Sequence, residues 1–291
     1  MPVTVSREGD MNNPARQRRW KAVPFSLLAA LGALLLLLVA VPGSHGAGRG
    51  RSVRAVPAGR VRLFAADPGL RAALGGLPPA SARAAEGLVV GSWHLKPGTW
   101  DPVDNPQLED PDCSYLVLEG LLLSHVRVGS RASAELLGPG DLFTADDADT
   151  HGYASVPSER SFRVLHPARV VALDTVLLAR IHSVPGMVGH FQGRLTQRAR
   201  SLNLRLAIVQ IPQLATRLHL LLWHLADRWG HRSPKGTVIP FRLSHAVLAD
   251  CVSAQRTSVV AALHELRDSG AVERTQTGHW VLHEDPPADF R

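Results

Sequence analysis

The chain has few of the residues that build cross-linked or metal-cluster proteins. Its 291 residues include only two cysteines, Cys113 and Cys251, which excludes a disulfide framework, a four-cysteine iron–sulfur cluster and an all-cysteine zinc site. A reduced, cytosolic setting fits this composition best. His219 and His224 are five residues apart, a poor spacing for holding one metal on one helix face, so we assign no metal and no cofactor.

Catalytic motifs are missing from the sequence as well. It has no phosphate-binding loop, no dinucleotide-binding pattern and no Ser/His/Asp arrangement, and Asp146 to Asp149 lacks the glycine and terminal glutamate of a calcium loop. We therefore expect that the protein is not an enzyme. With 45% hydrophobic and 20% charged residues, the chain has the composition of two ordinary globular domains.

The formal charge of +7 is unevenly distributed. Residues 1–62 hold ten Lys or Arg and two Asp or Glu, which leaves twenty-two basic and twenty-three acidic residues for the remainder. Within that remainder, Asp101 to Asp149 has eleven acidic and two basic residues, whereas Arg160 to Arg256 has fourteen basic and three acidic ones. A basic C-terminal half behind an acidic N-terminal half is the informative feature, because clustered Lys and Arg attract polyanions.

Residues 1–60 form a basic and apolar extension. A basic segment precedes an apolar run from Val23 to Val41, and a segment of small residues follows that run. This order is typical of a targeting peptide or of one membrane span. A mis-assigned translation start would append such a sequence equally well, so both alternatives stay open.

Residues 61–183 show the pattern of an antiparallel β-roll. A short helix starting at Asp67-Pro68 is followed by short apolar strands, which Pro97-Gly98, Glu119-Gly120 and Gly138-Pro139-Gly140 separate. The predicted strands are Leu88 to Leu95, Tyr115 to Leu118, Leu121 to Val128, Ala134 to Leu137, Phe162 to Leu165 and Arg169 to Leu173.

The chain is mostly helical after Asp174, which is placed to cap a helix over Thr175 to His182. Residues 184–211 read as one long helix with an apolar stripe, in which Arg198 and Arg205 occupy two of the same positions. The stripe consists of Val188, Phe191, Leu195, Leu202 and Val209. It fits a dimer seam, or alternatively a helix that packs only on its own roll.

Residues 212–291 contain the most specific pattern. Ser244 can cap a short helix, Ser253-Ala254 forms a turn, and a second helix ends at Gly270. Two helices at about 90–120° joined by such a turn make a helix-turn-helix. The segments Ala271 to Arg274 and His279 to Leu282 then complete the hairpin of a winged variant.

This order of elements resembles the Crp/Fnr family of bacterial transcriptional regulators. The resemblance covers roughly Val61 to Pro286 and is carried by Gly138-Pro-Gly-Asp-Leu-Phe143, by Arg217 to Gly230 and by Leu243 to Asp250. It implies an α+β chain: a cyclic-nucleotide-binding-like roll, a long dimerisation helix and a C-terminal winged helix-turn-helix. The implied function is a cytoplasmic homodimer that binds double-stranded DNA at a palindromic operator and contacts RNA polymerase.

The resemblance also implies which residues read DNA. Arg256 matches the first reader of the family's recognition helix, whereas Thr257 and Ala261 replace its other two polar readers, which predicts a different operator. Arg256 can contact guanine bidentately or contact only phosphate. The candidate DNA-binding residues are Ser244, Gln255, Arg256, Thr257, Ser258, His264 and Arg267. Ser253, where the family's turn often has Gly, is accommodated if its φ stays negative or is mildly strained.

The roll departs from cyclic-nucleotide binders. After Gly140-Asp141 the chain continues with Asp146, Asp147 and Asp149 instead of an Arg-Ser/Thr pair, and like charges there would repel a phosphodiester. Arg160-Ser161 is a late substitute. We expect an effector that is not a cyclic nucleotide, or none, with a candidate pocket of Asp141, Leu142, Phe143, Arg160 and Ser161. A rival interpretation is an exported or membrane-attached ligand-binding roll without DNA binding, and residues 1–60 are expected to be dispensable for dimerisation and DNA binding.

Overall fold

Two antiparallel sheets and a set of helices make up the part of the chain that the structure, a computed structural model, describes. That part consists of residues 52–102, 114–144, 156, 158–283 and 286. The apolar run Val23 to Val41, Cys113 and the carboxylates Asp146, Asp147 and Asp149 lie outside it. Within it, no single helix has both the length and the hydrophobicity of a membrane span.

The first sheet is the β-roll that the sequence predicts. Its strands follow the order β1-β2-β7-β4-β5, with β3 paired to β7 and β6 paired to β4. Alternate side chains point inward, and the aromatic rings of Trp100, Tyr115, Phe143 and Phe162 pack together in its core. The strands are β1 (Val56–Arg62), β2 (Val89–Leu95), β3 (Gly98–Trp100), β4 (Ser114–Val128), β5 (Arg131–Leu137), β6 (Leu142–Thr144) and β7 (Glu159–Leu173).

Two strands are longer than predicted. The segments on either side of Gly120 form one 15-residue strand, β4, and the two predicted segments around His166 form a second one, β7. The turn signal Glu119-Gly120 marks a bulge, because the pairing register of β4 with β7 shifts on both sides of Glu119. Gly120 has φ +87°, and a Cβ there would lie 2.3 Å from the carbonyl oxygen of Pro167.

The roll begins before the boundary predicted at residue 61. Strand β1 starts at Val56 and pairs along β2 up to Arg62 opposite Val89. Val53 is also engaged, since its N–H donates to the carbonyl of Thr99 at 2.7 Å. Strand β1 is an edge strand whose outward residues remain in solvent, and its glycine-containing sequence did not predict a strand.

Eight helices are present among the described residues. Asp67 and Asp174 cap two of them as predicted, because each carboxylate accepts a bond from the backbone N–H three residues later. The helices are α1 (Leu63–Ala66), α2 (Pro68–Ala73), α3 (Pro79–Glu86), α4 (Thr175–His182), α5 (Met187–Val209), α6 (Leu214–Trp229), α7 (His245–Val252) and α8 (Arg256–Asp268).

The long helix α5 presents one face to the roll. Its roll-facing residues recur at steps of three and four and are buried or half-buried: Met187, Phe191, Arg194, Arg198, Ser201, Arg205 and Ile208. The three arginines on this face bind the roll directly. Arg194 pairs with Asp67, Arg198 pairs with Glu135 at 2.8 Å, and Arg205 donates to the carbonyl of Ala134.

The C-terminal domain packs on the same roll. Its second sheet has the order β10-β11-β9-β8, and its helices α6, α7 and α8 share one apolar core with Leu121, Leu123 and Leu136 of the roll. His125 of β4 contacts Asp250 of α7 at 3.2 Å. The strands are β8 (His231–Ser233), β9 (Gly236–Ile239), β10 (Val272–Arg274) and β11 (Trp280–Leu282).

The boundary of the roll can be tested by truncation. Deleting residues 1–60 removes most of β1 and leaves the edge of β2 unpaired, which we expect to lower the free energy of unfolding by roughly 2–4 kcal/mol through lost ladder hydrogen bonds. Deleting residues 1–51 keeps β1 and serves as the matched control. Equal stability of the two variants in urea denaturation would show that β1 contributes nothing to the roll.

Candidate nucleic-acid interface

Helices α7 and α8 form the predicted helix-turn-helix. The bend between them is 102°, within the range of that motif. Ser244 caps α7, since its Oγ accepts from the N–H of Val247 at 3.3 Å. The turn residue Ser253 has φ +54°, so of the two conditions expected for it the mildly strained one applies. A left-handed conformation reverses the chain direction here, and serine adopts it at some strain.

Burial decides which side of α8 is free. Val259, Ala262, Leu263 and Leu266 pack into the domain core, and the helix ends before Gly270, whose φ is +81°. The opposite side is exposed. The N-terminal end of this exposed side carries four predicted DNA-binding residues: Gln255, Arg256, Thr257 and Ser258.

The other three predicted DNA-binding residues have different surroundings. His264 is exposed on α8, two turns after Arg256. Ser244 is exposed, but its hydroxyl is already engaged as a helix cap. Arg267 lies in the last turn of α8, where its guanidinium pairs with Asp268 at 2.8 Å. Arg267 is therefore the predicted residue least free to bind an anion.

Two residues that the sequence did not single out join this surface. His245, the first residue of α7, and Arg274, at the end of β10, both lie against Trp280, at 6.2 Å between ring centroids and 5.6 Å from guanidinium carbon to ring centroid respectively. The pKa of His245 is lowered by partial burial and then by the positive charges of Arg274, Arg256 and His264. Four cationic or protonatable groups from α7, α8 and β10 thus converge on one exposed surface.

The predicted effector residues do not surround one cavity. Leu142 and Phe143 are buried in two different cores of the roll. Asp141 bonds backbone to backbone with Val117 of β4, whereas Ser161 and Arg160 lie opposite His125 and Val126, about eight residues farther along that strand. Strand register therefore separates the late candidate Arg160-Ser161 from the turn at Asp141.

The turn around Asp141 is filled by the C-terminal domain instead. Asp141 pairs with Arg228 of α6 and also accepts from the N–H of Gly138 at 2.8 Å. Trp229 covers Gly138 so closely that a Cβ there would lie 2.6 Å from the indole ring. Its Nε1 donates to the carbonyl of Pro139 at 3.3 Å. Protein groups therefore cover this turn.

The five residues predicted as a dimer seam lie on two sides of α5. Phe191 is buried in the roll and Val188 packs half-buried against the same core. Leu195 is 53% exposed, and Leu202 and Val209 are half-buried. Arg198 and Arg205 do not share this stripe, because both face the roll.

Two buried histidines and the described cysteine are engaged in packing. His219 accepts from Trp223 at 3.1 Å, and His224 bonds Ser201 at 2.9 Å while burial lowers its pKa to about 4. Burial raises the pKa of the Cys251 thiol to about 12. The described part of the chain contains no group of three or more His, Cys, Asp or Glu side chains that could hold a metal ion.

Comparison with known proteins agrees with this geometry. Residues 216–288 match the model of the Crp-like helix-turn-helix domain. None of the curated proteins matches the chain significantly.

Solved structures share the fold at low sequence identity. A cyclic nucleotide-binding domain containing protein from Listeria monocytogenes is 16% identical with a TM-score of 0.54, over 74% of this chain and 98% of that one. A mutant of CooA from Carboxydothermus hydrogenoformans and FixK2 from Bradyrhizobium japonicum are each 14% identical with TM-scores of 0.52, over 66% and 68% of this chain and 83% and 94% of theirs. The chain therefore carries a Crp-like helix-turn-helix domain at residues 216–288 and shares the fold of these solved structures.

Proposed function

We propose that the protein is a Crp/Fnr-type transcriptional regulator that binds double-stranded DNA through α8 and the surface around it. The observation that carries this proposal is the helix-turn-helix itself, in which α7 and α8 meet at 102° and the exposed side of α8 carries Arg256 and His264. Cationic groups at this position fit the phosphates that flank a major groove. Arg256 begins α8, where a recognition helix meets base edges.

Substitution of Arg256 tests direct reading of bases. We expect Arg256→Ala to weaken binding to a specific palindromic duplex, selected from a randomised library, by about 1–3 kcal/mol and to change binding to random DNA little. Fluorescence anisotropy at fixed salt measures both affinities, and Arg83→Ala, an exposed arginine of the roll, is the matched control. Equal losses on both duplexes would make Arg256 a phosphate contact.

The proposed regulator is a homodimer joined through α5. Beside its roll-facing side, the helix carries an outward apolar stripe at steps of three and four: Leu195, Ala199, Leu202, Leu206 and Val209. Leu195 and Leu206 are 53% and 62% exposed. An apolar stripe of this period packs against a second copy of itself as in a coiled coil, and a two-fold dimer suits a palindromic operator with half-sites about one helical turn apart.

Charge placed on this stripe should separate the protomers. We expect the double variant Leu195→Glu, Leu206→Glu to sediment as a monomer, because two facing carboxylates would be buried in the seam. Leu204→Glu is the matched control, since Leu204 is 49% exposed on the opposite side of α5. A monomeric Leu204→Glu variant, or a dimeric double variant, would contradict this seam.

The effector of the proposed regulator is not a cyclic nucleotide. In the resembling family the Gly140-Asp141 turn precedes the phosphate-binding pair, but here Arg228 neutralises Asp141 and Trp229 covers Gly138. A bound phosphodiester would need a charge-assisted partner at this turn. The small molecule that sets the pose of the winged helices, where one exists, binds elsewhere or has a different chemistry.

Calorimetry tests this statement directly. We expect no heat of binding and no change in DNA affinity when cyclic AMP or cyclic GMP is added at physiological concentration, because the turn offers them no free cation. Micromolar binding of either nucleotide to the full chain would overturn it.

The proposed function also requires a cytoplasmic location. Operator binding and contact with RNA polymerase require that the winged helix lies in the cytoplasm, with or without a tether through residues 23–41. An exported roll without DNA binding is the rival, and the DNA selection described above separates the two, because an exported roll would enrich no sequence.

A further inference from the structure

His245 lies among cationic groups, and unlike an arginine it carries a positive charge only when its ring is protonated. It is half-buried against Trp280, and the neighbours whose charge acts on it are Arg274 of β10 and Arg256 and His264 of α8. Arg274 and Arg256 are always charged. Fixed positive charges lower the pKa of a histidine, and a bound anion raises that pKa again.

Two carboxylates of these elements are engaged with other partners. Glu273, the neighbour of Arg274, pairs with His283 at 3.4 Å. Asp250 lies at the other end of α7 and contacts His125 of the roll. The charged groups that lower the pKa of His245 are all cationic or protonatable, so an anionic ligand beside the ring would compensate for them.

We propose that His245 binds a DNA backbone phosphate as an imidazolium ion, so that DNA binding by this protein takes up a proton. This inference rests on the DNA-binding function proposed above and adds His245 to the contacts that the sequence predicted. The imidazole lies against the Trp280 ring, over which Arg274 also lies on the wing side, while Arg256 and His264 belong to the recognition helix.

The sign of the pH dependence follows from the surroundings of His245. In the free protein, partial burial and the adjacent cations lower its pKa below the ordinary value. A phosphate beside the ring adds negative charge and raises the pKa again. Between the two pKa values, binding consumes a proton, so DNA affinity rises as the pH falls. Uptake of one proton limits the gain to about tenfold per pH unit.

The test measures DNA affinity against pH at constant ionic strength. The probe is the palindromic duplex selected for the wild-type protein, and the affinity is measured by anisotropy between about pH 8 and pH 5.5. We expect wild-type affinity to increase severalfold as the pH falls through this interval. Calorimetry in buffers of different ionisation enthalpy should show the proton uptake independently.

Three variants assign the effect to a residue. His245→Gln should bind like the wild type at high pH and lose most of the gain at low pH, whereas His245→Lys, a permanent cation, should bind tightly across the whole interval. His182→Gln, which removes an exposed histidine of the roll, is the matched control and should keep the wild-type profile. His264→Gln measures the share of the second histidine, and a circular dichroism melt confirms that each variant is folded.

The possible failures are distinguishable. If selection enriches no duplex, the proposed DNA-binding function itself fails. If a duplex is bound specifically but its affinity does not change with pH, or if His245→Gln keeps the full wild-type profile, the function stands and the role of His245 is wrong.

Discussion

The architecture depends on a row of arginines that binds the helical half of the chain to the roll. Arg194, Arg198 and Arg205 extend from α5, and Arg228 extends from α6, toward Asp67, Glu135, Asp141 and the carbonyls near them. Such pairs are half-buried, so removing one partner would leave a poorly solvated charge. They fix the rotation of α5 about its own axis. The apolar stripe with Leu195 and Leu206 consequently faces away from the roll.

These four arginines also change how the charge distribution of the sequence is interpreted. The sequence places fourteen basic residues between Arg160 and Arg256, and basic clusters favour nucleic acid as the partner. Three of them, however, pair with carboxylates of the same chain, and a fourth, Arg205, donates to the carbonyl of Ala134. The surface proposed to bind DNA is smaller than the composition indicates, and part of its charge comes from Arg274, which lies beyond the basic stretch. Net charge alone could not separate internal pairing from an external partner.

Features that depend only on residues close in sequence were predicted correctly. The capping residues Asp67, Asp174 and Ser244 and the terminating Gly270 were predicted correctly because each acts within a few residues of its own position. Three features were not predicted: the edge strand β1, the merging of strands around Gly120 and the two faces of α5. Each of them depends on a partner far along the chain. Arg160-Ser161 was misplaced for the same reason: spacing in sequence does not give register in a sheet.

His245 and Arg274 also escaped sequence analysis, because only the folded wing brings them to either side of Trp280. Their position has a mechanical consequence. Helix α7 has eight residues and spans about 12 Å, with His245 at its N-terminal end and Asp250 near the end that contacts His125 of the roll. Arg217 fastens that second end, donating to the carbonyls of Ile211 and Val252. A short helix therefore connects the roll and the segment between α5 and α6 with the surface proposed to bind DNA. A displacement of the roll would be transmitted along this helix to the groups that would bind DNA.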